Sequence, residues 1–223
     1  MLLSSIAHSN ALVVGATQGI GLEFIRQVLQ DERMDHVFAT YRSQETAAQL
    51  FALAEQYAER LHCIPMDITD ESQLDTGILQ IRALAPNLHF VINCVGLLHN
   101  EQQQPEKALR QLNTENLLNY FQINSIGPAL IAKHVMPLLR HKEPSLLATI
   151  SAKIGSIGDN RIGGWYGYRA SKAALNMFLK TASIEYRRRS PNTTIVMLRP
   201  GTTDTGLSKP FQRGVPPECI LWK

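Results

Sequence analysis

Six short apolar runs alternate with longer segments of helical period along this chain, the pattern that predicts βαβ units and a mostly parallel sheet. The runs Ala11 to Val14, Val37 to Tyr41, Leu61 to Met66, Leu88 to Asn93, Ser145 to Ile150 and Thr194 to Leu198 are rich in Val, Ile and Leu without alternation. Strands of that kind are buried on both faces. Between them, Ile20 to Gln30, Gln44 to Arg60, Glu71 to Leu84, Thr114 to Arg140 and Tyr166 to Arg189 carry apolar residues at helical spacing. Right-handed crossovers through five such helices give one doubly wound α/β domain of Rossmann type, with six strands. After Pro200 the glycines and prolines predict an irregular flap over 200–223, with at most a helical turn near Ser208 to Gln212. Leu117, Phe121, Leu175 and Phe178 are expected in the intramolecular core.

Composition narrows the class. The chain has 223 residues, 44% hydrophobic and 18% charged, enough for a sizeable core. A net charge of +3 gives no broad field for a nucleic-acid backbone or an anionic membrane. Arg187-Arg188-Arg189 ends a helical segment, where cations complement the macrodipole, so no charged partner is needed to explain them. Three widely spaced cysteines and seven scattered histidines make neither a disulfide framework nor a metal motif. The first residues lack a basic n-region, and the expectation is a cytoplasmic protein.

The chemistry begins after the first strand. Gly15-Ala16-Thr17-Gln18-Gly19-Ile20-Gly21 opens a helix, as a turn must if its N–H groups are to meet a pyrophosphate, although a plain strand-to-helix connection would read the same way. About twenty residues on, dinucleotide sites place an acid on the ribose hydroxyls. Here Ala39-Thr40-Tyr41-Arg42-Ser43 has none, and the planar fork of Arg42 suits a 2′-phosphate, which favours NADP over NAD. Tyr168 and Lys172 are four apart on a helix, hence on one face. An ammonium about 4 Å from a phenol contributes on the order of 4 kcal/mol at an effective dielectric near 20, enough to bring a tyrosine toward neutral pH.

Taken in order, the glycine turn, Asp67-Ile68, Asn93-Cys94-Val95-Gly96, Asn124 with Gly127, Tyr168-Arg169-Ala170-Ser171-Lys172 and Pro200-Gly201 resemble the short-chain dehydrogenase/reductases over nearly the whole chain. Gly163-Gly164-Trp165-Tyr166 points to the sniffer-like carbonyl reductases and C-factor-like proteins. The resemblance implies hydride transfer between NADP(H) and a small-molecule carbonyl or secondary alcohol. It gives Tyr168 the proton transfer, Lys172 the ribose hydroxyls and the tyrosine's shift, and Asn124 a water-linked proton relay. For the cofactor it implies Gly15, Thr17, Gln18, Gly19, Ile20 and Gly21 at the pyrophosphate and Asp67 and Ile68 at adenine. Asn93, Val95 and Gly96 fall on the nicotinamide-ribose side, and Pro200, Gly201, Thr202 and Thr203 at the nicotinamide amide. Asp67 and Asn93 would serve equally as turn or strand-end caps. A homodimer or homotetramer is the family's expectation, and Leu97, Trp165, Tyr166 and the flap imply a partly apolar substrate pocket.

The chain departs from that pattern in places. Ile150-Ser151-Ala152-Lys153 puts Ala152 where the family has the serine that holds the substrate oxygen. Ser151 then falls on the opposite face of a regular strand, unless a bulge turns it inward, and Ser156 is the other candidate. The alternative is an NADP-binding regulatory or signalling protein with weak turnover. Val14 stands where the family prefers threonine. Only Thr202 to Lys223 follow the Pro200-Gly201 loop, so the family's seventh strand is expected to be missing or supplied by a partner.

Overall fold

A computed structural model describes residues 6–213, 215–216 and 220–221. Its strands are β1 (Ser9–Val14), β2 (Met34–Tyr41), β3 (Leu61–Pro65), β4 (Phe90–Asn93), β5 (Ser145–Ile150) and β6 (Thr193–Leu198). They form one parallel sheet in the order β3-β2-β1-β4-β5-β6. The order reverses between β1 and β4, so the loops after those two strands diverge and open a crevice at their carboxyl ends.

The two faces of the sheet bury different side chains of the same strands. Leu12 and Val14 face α3 (Glu71–Leu84), α5 (Gly127–Leu139) and α6 (Tyr166–Arg189), meeting Leu74, Ile81, Ile131, Val135, Leu175 and Leu179. Ala11 and Val13 face α1 (Gly19–Leu29) and α2 (Ala48–Gln56), meeting Leu22, Ile25 and Leu50. Each such apolar side chain removed from water contributes roughly 1.5–3 kcal/mol, which holds both helical layers to the sheet. The Tyr186 hydroxyl donates to the Ala132 carbonyl and Ser190 Oγ to that of Leu139, tying α6 to α5 inside the core.

Three elements differ from the sequence reading. The segment 44–60 divides into a 3₁₀ turn at Gln44–Thr46 and the shorter α2, with Ser43 Oγ accepting from Glu45 N at the start. The segment 114–140 divides into α4 (Thr114–Phe121), a π turn at Gln122–Ile126 and α5. Pro128 has no N–H to offer the Asn124 carbonyl four residues before it, so the α ladder fails there and the turn widens. The side chains of β6 are half-exposed rather than buried, apart from the exposed Thr194, because β6 is a sheet edge.

The main sheet has six strands among the described residues. The segment after β6 holds β7 (Thr202–Thr203), which pairs with β8 (Ile220–Leu221) in a separate two-stranded ribbon, an element that the sequence pattern did not predict. The helical turn expected near Ser208 to Gln212 is a 3₁₀ turn at Lys209–Phe211. Phe178, expected in the core, is 45% exposed on α6, whereas Leu175 is fully buried. No helix among the described residues is long and apolar enough to cross a membrane.

Candidate active site

The crevice at the carboxyl ends of β1 and β4 gathers most of the residues that the sequence singled out. Gly15 and Gly19 have φ of +79° and +54°, the left-handed region where a side chain is strained. A Cβ on Gly15 would also stand 2.6 Å from Val95 Cγ2, and one on Gly21 would run into the Gly15 carbonyl. The glycines therefore let β1, the start of α1 and the β4 loop close on one another. Gly15 N donates to Thr40 Oγ1, which fixes the turn against β2. Gln18 caps α1 without a side-chain hydrogen bond and no acid occupies the first turn, so the helix's positive end is left open to an anion. Thr17 and Ile20 are half-buried beside it.

Arg42 follows β2 and is exposed, with no hydrogen bond or ion pair among the described residues. Asp67 does act as a turn cap: its Oδ1 accepts from the N–H and the hydroxyl of Thr69. The Ile68 side chain is buried against Gly127 in the core. Asn93 is fully buried at the end of β4; its Oδ1 accepts from Val95 N, while its Nδ2 has no partner among the described residues. A buried amide donor left unpaired costs about 1–3 kcal/mol, a cost that a ligand acceptor would remove. Gly96 follows in the same loop and comes close to both polar side chains: a Cβ there would sit 3.5 Å from Lys172 Nζ and 3.6 Å from Asn124 Oδ1. The unpaired amide and the glycine turn fit a nicotinamide dinucleotide.

Lys172 and Tyr168 stand one turn apart on α6, as their spacing predicts, and both are buried. Lys172 Nζ lies 5.9 Å from the centre of the Tyr168 ring and donates to the Ile150 carbonyl at 3.0 Å. Burial pushes the Lys172 ammonium down to about 8. Burial, with the nearby Tyr120 hydroxyl adding to it, pushes Tyr168 up to about 12. In both residues desolvation acts against the charged form.

Asn124 lies in the π turn and is fully buried. Its Oδ1 accepts from Leu97 N at 2.7 Å, and its Nδ2 donates to the Leu97 carbonyl and to Ser171 Oγ. Its amide is thus engaged at both ends by protein partners.

Ser151 is engaged by α6. Its hydroxyl donates to Asn176 Oδ1 at 2.7 Å, two turns beyond Tyr168 along α6, while Ala152 packs in the cluster with Tyr168, Trp165 and Phe211. β5 ends at Ile150, but the backbone stays extended, with Ser151 N donating to the Leu198 carbonyl and Ala152 at φ −150° and ψ 151°, so 151 and 152 point to opposite faces. Ser156 is half-buried in the following loop.

The segment after β6 closes the crevice from outside. Pro200 and Gly201 (φ +78°) turn it back; Thr205 Cγ2 comes within 3.4 Å of where a Gly19 Cβ would be. Further on, Phe211 packs edge-to-face on Trp165 with centroids 5.0 Å apart, and on His99 at 5.3 Å. Thr202 and Thr203 are half-buried on β7, and Thr203 Oγ1 is buried without a hydrogen-bond partner among the described residues. Sequence reasoning passed over Phe211 and Glu106, the latter a buried acid at the base of the cluster, because neither falls in a motif.

Comparison with known proteins bears on the whole arrangement. A model of the short chain dehydrogenase family matches residues 9–215. The chain belongs to that family. It is 27% identical over 217 residues to a benzil reductase, (S)-benzoin forming, of Saccharomyces cerevisiae, covering 95% of this chain and 78% of the relative. The fold superposes on the NADPH-bound carbonyl reductase from chicken fatty liver with a TM-score of 0.80 and 26% identity, covering 90% of this chain and 82% of that one. The carbonyl reductase Sniffer of D. melanogaster also gives a TM-score of 0.80, at 25% identity and with 89% and 83% of the two chains covered. This short-chain dehydrogenase is thus a nicotinamide-dependent oxidoreductase by family, with carbonyl reductases among its structural neighbours.

Away from the crevice, the fold brings His89, His141 and Glu143 together at the opposite end of the sheet, with ligand-type atoms within 4.8 Å of one another. His89 Nδ1 accepts from Asn10 N, so its proton lies on Nε2, directed at Glu143, and no lone pair is left there for a metal.

Proposed function

We propose that this protein is an NADP(H)-dependent reductase of small-molecule carbonyls, with Tyr168 as proton donor. The observation that carries the reading is the approach of Lys172 and Asn124 to Gly96, with the Tyr168 ring centre 5.9 Å from the Lys172 ammonium and the unpaired Asn93 amide at the end of β4. When bound, the reduced nicotinamide supplies the hydride. The Tyr168 hydroxyl gives its proton to the carbonyl oxygen, a role suited to a phenol that remains protonated at neutral pH. Lys172 holds ribose hydroxyls and the Asn124 carbonyl passes protons inward by way of water. Gly15, Thr17, Gln18, Gly19, Ile20 and Gly21 hold the pyrophosphate, and Arg42 the 2′-phosphate. Asp67 and Ile68 border the adenine, Asn93, Val95 and Gly96 the ribose, and Pro200 to Thr203 the amide.

Substrate enters between Trp165 and the flap, where Leu98, Tyr120 and Phe211 make the wall apolar and aromatic. Exposed Met177 and Phe178 on α6 and Leu118 on α4 support a homodimer or homotetramer, and the unpaired Cys63 and Cys94 a cytoplasmic site of action.

The test is oxidation of NADPH against a panel of aryl and alkyl carbonyls, benzil among them. Turnover that vanishes in Tyr168→Phe supports the reading; no turnover on any carbonyl, or no NADPH binding, rejects it. A second reading rests on Ala152: without a hydroxyl at that point the protein would bind NADP with slow turnover and act chiefly as a regulatory or signalling factor. Tight NADPH binding with negligible turnover, raised sharply by Ala152→Ser, would favour it.

A further inference from the structure

Helix α6 carries both Tyr168 and Lys172, yet its own cap residue, Trp165, offers its first turn no side-chain hydrogen bond. Trp165 is also the sole non-glycine residue with positive φ among those described, and it follows Gly163 and Gly164 in the same left-handed region. Three successive left-handed residues do not hold themselves in place; contacts from outside must fix them. Arg169 supplies some, donating from Nε to the Gly164 carbonyl and from Nη2 to that of Gly163. The rest come from Glu106, some sixty residues earlier in the loop between β4 and α4.

The Glu106 backbone carbonyl accepts from Trp165 N, and Oε2 of its side chain accepts from Gly167 N at 3.1 Å. The residue is 3% exposed, and its other oxygen, Oε1, is buried without a hydrogen-bond partner among the described residues. Gly167 is itself pinned, since a Cβ would strike the Tyr120 ring and lie 3.0 Å from Oε1. Tyr120 in turn packs edge-to-face on Tyr168 at 6.3 Å and donates to the Leu98 carbonyl. A single residue thus grips the backbone on both sides of Tyr166, through its carbonyl at Trp165 and its carboxylate at Gly167, the residue before the reacting phenol.

We propose that Glu106 is a positioning residue: it anchors the start of α6 to the β4–α4 loop, and so sets where the Tyr168 hydroxyl and the Trp165 ring stand over the crevice. The proposal rests on the carbonyl-reductase reading for its effect on turnover, but not for its effect on Trp165. The grip depends on reach rather than on charge. Gln has the reach without the charge; Asp has the charge but is one methylene short of Gly167.

The experiment compares Glu106→Gln, Glu106→Asp and Glu106→Ala in a Trp222→Phe background, which leaves Trp165 as the one tryptophan. Two readouts are taken: kcat and KM for NADPH-dependent reduction of benzil, with the NADPH Kd, and Trp165 emission with iodide quenching. The expected result is kcat within about threefold of the parent for Gln and down roughly tenfold or more for Asp and Ala, since small misplacements of a reacting group cost rate steeply. The NADPH Kd stays within about twofold throughout. Trp165 emission shifts to the red and becomes quenchable in Asp and Ala, but not in Gln. Parent-like kcat and emission in Asp, or a Gln variant as impaired as Ala, overturns the proposal. If Ala does not fold, the Gln and Asp pair decides. If the parent reduces no carbonyl, the functional reading fails while the emission series still tests the anchor.

Discussion

Ser151 gives its hydroxyl hydrogen to Oδ1 of Asn176 at 2.7 Å, which commits the serine to the flank of α6 and leaves a methyl group, Ala152, beside Tyr168. A positioned donor at an oxyanion typically contributes about 10²-fold or more in rate. Ala152→Ser is therefore expected to raise kcat for carbonyl reduction by tenfold or more, and Ser151→Ala to change it less than threefold. Steady-state kinetics of the two variants check this; a large loss in Ser151→Ala would mean that the hydroxyl reaches the substrate after all.

Tyr168→Phe removes the proton donor and little else, because the ring keeps its contacts with Trp165 and Tyr120. Loss of general acid catalysis costs about 10²–10⁴-fold, so kcat should fall by at least two orders of magnitude with the NADPH Kd nearly unchanged. Titration calorimetry beside the rate assay separates the two quantities.

Among the described residues Arg42 has no partner to lose, so Arg42→Ala should leave folding untouched and act on the nucleotide alone. A charge-assisted contact to a phosphate is worth about 1.5–3 kcal/mol, so the NADPH Kd should rise roughly 10- to 100-fold while that for NADH stays constant. Equal losses for both nucleotides would place the arginine elsewhere.

Burying Lys172 has a signature in stability. Its pKa falls from 10.5 in the unfolded chain to about 8 when folded, so between those values the unfolded state binds more protons and stability rises with pH. The penalty is complete below pH 8 and gone above pH 10.5. Cys94, raised to about 12 by burial, works the opposite way over an overlapping range, so a difference measurement is needed. Denaturant unfolding of Lys172→Met against the parent should show the parent gaining on the order of 2 kcal/mol on the variant between pH 7.5 and pH 10.

Tyr186 is buried and its hydroxyl donates to the Ala132 carbonyl. Tyr186→Phe keeps the ring and removes that hydrogen bond from a carbonyl that lies within α5, which should cost about 0.5–1.5 kcal/mol in thermal or denaturant unfolding with no change in kcat.

The sheet was legible because its strands are buried on both faces: runs such as Leu12-Val13-Val14 must be apolar at every position, and no other element of that length requires it. The glycine turn and the Tyr168/Lys172 pair were legible because each depends on spacing within one segment. What could not be read was set across segments. Whether Lys172 lowers or fails to lower the Tyr168 pKa depends on how dry both are, and dryness comes from Tyr120, Leu98 and Phe211 packing around them. Glu106 carries no motif, since its partners are two backbone N–H groups some sixty residues away. The break in the 114–140 helix was in principle visible at Pro128, but apolar periodicity runs straight through it and hides the missing donor.

The segment that follows β6 rests on Gly19 through Thr205 and on Trp165 through Phe211, and so spans from the phosphate end of the crevice to its aromatic end. A nick, an insertion or a rigid substitution in those few residues would loosen both ends together. Nucleotide affinity and preference for one carbonyl over another would then drift in concert as this strap varies, and neither trait could be tuned by it alone.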